Sequence, residues 1–254
     1  MRMPRREFLV STAALAAGSS VAGGVRTGRA AFAGAASARG RRRVIALVAC
    51  GLVASVVGAQ HLLARPDMAA FDPTAMGRIE ARMWRRYYEG RWLQLGCGAL
   101  GAACEQYGFS WWDGTRLALD AVRAAAAFRV RQDDPVCLPA LTHYYGIVHQ
   151  AAPARFAPVD AARLELRWWS ERREDVPPSD YAVTVARLTA MLYGLPTEAA
   201  LPSAAGRVDA MVYRDARGTT MTDADWQEVE RRLVAAYADL AARLAGPHAA
   251  VEAR

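Results

Sequence analysis

Asp72-Pro-Thr-Ala-Met76-Gly-Arg-Ile79-Glu80-Ala-Arg82-Met83-Trp84-Arg85-Arg86-Tyr87-Tyr88-Glu89 decides the fold class. Asp72 is a good N-cap, and Pro73 suits the first helical position, whose N–H has no intrahelical partner in any case. Met76, Ile79, Met83, Tyr87 and Gly90 then form one stripe, and Ala81, Trp84, Tyr88 and Leu95 an adjacent one. Two adjoining stripes make a wide apolar face and a mostly buried helix. The pattern predicts one helix as far as Tyr107, with Gly108 as its stop. Gly96, Gly98 and Gly101 each cost about 1 kcal/mol against Ala within a helix, so they predict a kink or close helix crossing in its second half.

Helical periodicity continues downstream. Ser110 is read as the cap of a second helix with Leu117, Ala121, Ala124 and Phe128 inward. A third runs from about Val136 to Gln150, and a fourth starts near Pro158 and ends at Pro177-Pro178. Ser179 is expected to cap a fifth that stops at Gly194, and a sixth spans about Ser203 to Asp215. In the last, Thr222 and Asp225 form a capping-box variant ahead of Trp226, Val229, Leu233, Tyr237, Leu240 and Leu244. A minor hairpin around Gly218 (211–221) is the one place where strand structure is expected.

Upstream, Arg39-Gly-Arg-Arg-Arg43 precedes 21 uncharged residues, Val44 to Ala64. At about 1.5 Å of rise per residue this run spans about 31 Å, the thickness of a bilayer's hydrocarbon core. Six Arg (26, 29, 39 and 41–43) precede it, and Arg65 is the nearest basic residue after it. Positive charge stays cytoplasmic, so the run is expected to send the following chain outward. Nearer the start, Arg5-Arg6-Glu7-Phe8-Leu9 and the Ala/Gly-rich run behind it resemble a twin-arginine export signal, with Pro4 and Val10 departing from the usual pattern. Val57-Gly58-Ala59 is an acceptable cleavage site, and cleavage would release a soluble exported protein; the continuing apolar character of Leu62 and Leu63 favours an uncleaved anchor.

The predicted organisation is a basic leader (1–43), a transmembrane helix or signal anchor (44–64), a juxtamembrane linker (65–73), an all-α extracytoplasmic domain of six to seven helices (74–246) and a tail (247–254). The charge divides accordingly. Residues 1–65 hold ten Arg and one acid, a net of +9, whereas residues 66–254 hold 22 Arg and 24 acids, a net of −2. The basic balance therefore belongs to the leader, and the domain lacks the footprint of a nucleic-acid binder. The expected location is a bacterial-type cytoplasmic membrane, crossed once.

Sites for metal and for activated nucleophiles are not legible. His143 and His149 lie about 240° apart around a helix and cannot share an ion from it. H-E-x-x-H, C-x-x-C, G-x-S-x-G, the P-loop and G-x-G-x-x-G patterns are all missing, and no cofactor is implied. Cys97 and Cys104 sit two helical turns apart, about 10.5 Å, beyond disulfide reach; Cys137 could bridge to either in an oxidising compartment, and the favoured reading is three buried thiols.

The richest chemistry lies in two matching segments, residues 80–89 and 165–174, where aromatic rings, guanidinium groups and carboxylates alternate. Glu80 falls inside an apolar stripe and Glu165 beside Leu164 and Trp168. A carboxylate in such a place is costly unless paired. Arg82, Trp84, Arg85, Arg86, Tyr88, Trp168 and Arg172 could form an aromatic, cationic groove for an anionic ligand. Glu80 and Glu165 could also serve as the acid/base pair of a glycan hydrolase. The expected role is binding or scaffolding at the cell envelope, toward an envelope protein or a small anionic ligand, with the hydrolase as the alternative.

Overall fold

The computed structural model describes residues 58–131 and 133–246, together with 43, 45–48, 51–52 and 55. The chain divides into two compact units, Met1–Gly51 and Leu52–Arg254. In the first, the described positions are helical; the twin-arginine-like segment and the tail at 247–254 lie outside the described residues, as do positions 44, 49–50, 53–54 and 56–57 of the expected membrane span. Among the described residues, no helix is long and apolar enough to cross a membrane.

The second unit is all-helical among its described residues. Residues 58–63 are helical, and eight longer α-helices follow: α1 Pro73–Tyr88, α2 Trp92–Gly101, α3 Trp111–Arg129, α4 Leu138–Val148, α5 Pro158–Arg173, α6 Pro178–Tyr193, α7 Thr197–Arg217 and α8 Asp223–Leu244. Each packs chiefly on its neighbours in the chain, and α8 returns to pack on α1, so the eight close into a ring. Short connections make successive helices run in opposite directions. The last turns of α1, α3, α5 and α7 thus gather at one end, and each carries Arg, the charge that suits the negative end of a helix dipole.

The caps read from the sequence form: Asp72 Oδ1 accepts from Ala75 N at 2.6 Å, and Ser110 Oγ accepts from Asp113 N at 3.1 Å. Thr222 and Asp225 close their capping box. Val229, Leu233, Tyr237 and Leu240 of the α8 stripe are buried as expected. Gly77 shows why α8 fits so closely on α1. A Cβ there would lie 2.5 Å from the Val234 amide nitrogen, so only glycine permits the crossing.

Several boundaries differ from expectation. The predicted first helix breaks after Tyr88, because Gly90 adopts a left-handed φ of +71° and reverses the chain. Gly90 is therefore a turn residue and not part of a stripe, and the helix count rises to eight. The glycine-rich second half forms α2 and relaxes into a wider π-type turn at Ala102–Gln106. Pro177 and Pro178 take the N-cap and first position of α6, leaving Ser179 inside the helix. α7 starts at Thr197, ahead of the expected Ser203, and carries Pro202 within it. The hairpin around Gly218 does not form; residues 218–220 are a single 3-10 turn.

The segment 65–73 packs against the ring. Met68 and Phe71 are buried, and Phe71 meets Tyr107, Tyr193 and Tyr237 at ring-centre distances of 6.2, 6.4 and 5.7 Å. Backbone bonds from Asp67 N to Tyr107 O (2.9 Å) and from Met68 N to Ala151 O (3.1 Å) pin it to the ring.

Candidate functional site

Glu80 and Glu165 enter one polar centre from α1 and α5. Glu80 lies on the buried face of α1 beside Met76, Gly77 and Ala81 and is only 8 % exposed. Arg207 of α7 donates from Nη2 to its Oε1 at 2.5 Å. Glu165 accepts from the Tyr145 hydroxyl of α4 at 2.9 Å. The same Arg207 charge also acts on Glu165. The two carboxylates that the sequence singles out thus share the influence of one guanidinium, bonded to Glu80 and acting on Glu165 through its charge.

Tyrosines surround this trio. Tyr237 of α8 lies against Glu80, Tyr193 of α6 pairs with Tyr107, and Tyr144 feels both carboxylates. Burial raises the pKa of each of these phenols, that of Tyr193 to about 12, so all stay neutral donors at ordinary pH. Burial also raises the Glu165 pKa, against the opposing pull of the Trp168 indole, Arg207, Tyr145 and Trp169. Burial by itself would lower the Arg207 pKa, but Glu80 and then Tyr237 outweigh it and hold the guanidinium charged. Glu80 Oε2, Arg207 Nε and Trp168 Nε1 lack a well-formed hydrogen bond, although the Trp168 N–H is near enough to Glu165 to favour its charge.

The matching segments meet again at the ring end where α1, α5 and α7 finish. Arg172 grips Asp215 with two bonds, 2.8 and 2.7 Å, and donates to the Tyr88 hydroxyl at 2.6 Å. Arg214 stacks over the Tyr88 ring at 3.3 Å and also reaches Asp215 at 3.0 Å. Burial opposes the Arg172 charge, but Tyr88 and Asp215 raise its pKa overall.

The remaining groove candidates are distributed differently. Trp168 is in the core, and Trp84 is half-buried against both apolar clusters. Arg85 pairs with Glu89 (2.9 Å) and Asp223 (2.8 Å), and Arg86 donates to the Gln94 carbonyl at 2.9 Å. Arg82 is exposed. Of the seven candidates, Tyr88 and Arg172 share a hydrogen bond. Two surface depressions, one lined by Ala154, Arg155 and Met191 and the other by Gln60, Leu63 and Phe109, include none of them.

Arg207, Asp215 and the tyrosine shell were not singled out from the sequence. Arg207 carries the same signal as Glu80, a charge within an apolar helical pattern: Ala200, Ser203, Ala204, Val208 and Met211 are buried around it.

Elsewhere, His143 bonds Asp120 through Nδ1 and lies 2.9 Å from Arg116 through Nε2, a half-exposed surface cluster. Among the described residues, no group of three His, Cys, Asp or Glu side chains could hold a metal ion. Cys97 is exposed, contrary to the expectation of a buried thiol; Cys104 is half-buried and Cys137 buried. Compared with known proteins, the chain matches no family model, and no curated protein or solved structure aligns with it.

Proposed function

We propose that the chain is a single-pass, membrane-anchored protein whose helical ring is an extracytoplasmic binding or scaffolding domain at the cell envelope. The observation that carries the non-catalytic part is the Glu80–Arg207–Glu165 centre. A glycan hydrolase must place a sugar between its two carboxyl groups. Here the Arg207 guanidinium bonds Glu80 and acts on Glu165 through its charge, and the shell around the two carboxylates is phenol and indole. The hydrolase alternative, with Glu80 or Glu165 as acid/base, has the raised Glu165 pKa in its favour, since such shifts gather at active sites. Structural ion pairs shift pKa values too, and the burial of Glu80 weighs on that side.

Support for the anchor comes from the uncharged run and its flanking Arg, and from side chains at its end. Leu62 and Leu63 are 76 % and 73 % exposed on the last helical turn before the domain. Exposed leucines in series are costly in water and natural in lipid. The ligand or partner would meet the outer surface of the ring, where Arg82, Arg85 and Arg86 are at least partly accessible, and would be an envelope protein or a small anion. Fusions placed after Asp72 test the topology: alkaline phosphatase should be active there and a cytoplasm-dependent fluorescent reporter dark. The reverse pattern would remove the extracytoplasmic reading.

A further inference from the structure

Trp111 and Trp112 are 58 % and 56 % exposed, although buried or half-buried positions hold the chain's other tryptophans. They form the first two residues of α3, at the end of the ring where residues 60–64 arrive from the apolar run. The start of α3 and residues 60–61 are held together. The Trp111 amide donates to the Gln60 side chain at 2.9 Å. His61 Nδ1 lies 3.0 Å from Ser110 Oγ and 3.1 Å from Asp113 Oδ2. Ser110 is almost fully buried, so this clasp is anchored in the core. Leu62 and Leu63 are exposed beside it, and Arg65 follows as the first cation.

An exposed pair of indoles fixed to the outgoing end of an apolar helix has one solvent it suits. Indole combines a large apolar body with a single N–H donor, and it collects where hydrocarbon meets headgroups. We propose that Trp111 and Trp112 are an interfacial seat: they enter the headgroup layer of the bilayer crossed by the preceding run, and set the ring end-on against the membrane. The inference rests on the anchored reading and adds to it. The clasp at Gln60 and His61 and the buried Met68 and Phe71 hold residues 60–71 on the ring. The Arg-bearing ends of α1, α3, α5 and α7 then face away from the membrane, because successive helices alternate in direction.

The test uses the full chain in vesicles of phosphatidylethanolamine and phosphatidylglycerol, with lipid brominated near the headgroup end of the acyl chain as a quencher of indole emission. No tryptophan precedes Trp84, so the apolar run contributes no signal. The parent should float with the vesicles and lose emission in brominated lipid. A Trp111→Phe/Trp112→Phe variant should still float and lose most of that bilayer-dependent quenching, whereas Trp92→Phe should retain it. Far-UV spectra matching the parent would show that the ring is intact. Flotation without quenching in the parent, or quenching that persists in the double variant, overturns the seat and leaves the anchor standing. A parent that fails to float removes the anchored reading and the seat with it.

Discussion

Changing Glu80 to Gln tests the polar centre with the least change of shape. Gln keeps the volume and can still accept from Arg207 at the 2.5 Å contact, but it removes the charge opposite a buried guanidinium. Removing one partner of a buried ion pair costs about 3–5 kcal/mol, because the other charge is left uncompensated. Glu165 also acts on Arg207 and would offset part of the loss, so the expected cost is near the lower end, about 3 kcal/mol. For a domain of this size, that corresponds to a fall in Tm of roughly 6–12 °C. Replacing Arg207 by Met as well should recover much of the loss, since an apolar side chain of similar length needs no counter-charge. Denaturant melts of residues 66–254 read both effects. An E80Q domain that melts with the parent, or an E80Q/R207M domain worse than both single variants together, would refute the account of the centre.

Four further outcomes follow from the same geometry. Because burial raises the Glu165 pKa, its contribution to stability is complete below the ordinary Glu value and is lost as pH rises through the raised one; E165Q should flatten that part of the parent's stability profile. Asp225 has the opposite sign: hydrogen bonds from Thr222 hold its pKa down, so its stabilisation is present above the ordinary Asp value and fades as pH falls; D225N should melt lower than the parent at neutral pH and converge with it in acid. Tyrosinate absorbance in an alkaline titration should show Tyr107, Tyr144, Tyr145, Tyr193 and Tyr237 silent near pH 10 and ionising only as the ring unfolds; full ionisation of a still-folded ring would contradict the buried shell. Gly77→Ala gains about 1 kcal/mol of helix propensity but drives a Cβ into the Val234 backbone, so it should destabilise by about 1–2 kcal/mol net in a denaturant melt.

What the sequence made legible has a common origin. Periodic apolar stripes and local caps are short-range signals, which is why α1, α3 and α8 start where Asp72, Ser110 and Thr222 indicate. Glu80 and Glu165 were visible because each interrupts an apolar pattern, and a buried charge must have a reason. The bond from Glu80 to Arg207, 127 positions away, is a property of ring closure that no local pattern contains. The break at Gly90 was hidden by Tyr87 and Tyr88, which continue the helical stripe up to the turn. Met68 and Phe71 were invisible for another reason: a short segment without periodicity reads as linker, and only the tyrosines of α6, α8 and the turn after α2 reveal what it packs against.

The most direct test of the anchored, outward-facing domain uses the exposed thiol of Cys97. Intact cells are treated with a membrane-impermeant maleimide, lysed, and washed with alkaline carbonate before the membrane fraction is probed for the labelled chain. The account predicts labelling in intact cells that stays with the membranes and disappears in Cys97→Ser. Labelling that requires prior lysis, or labelled chain that washes entirely into the soluble fraction, would contradict it.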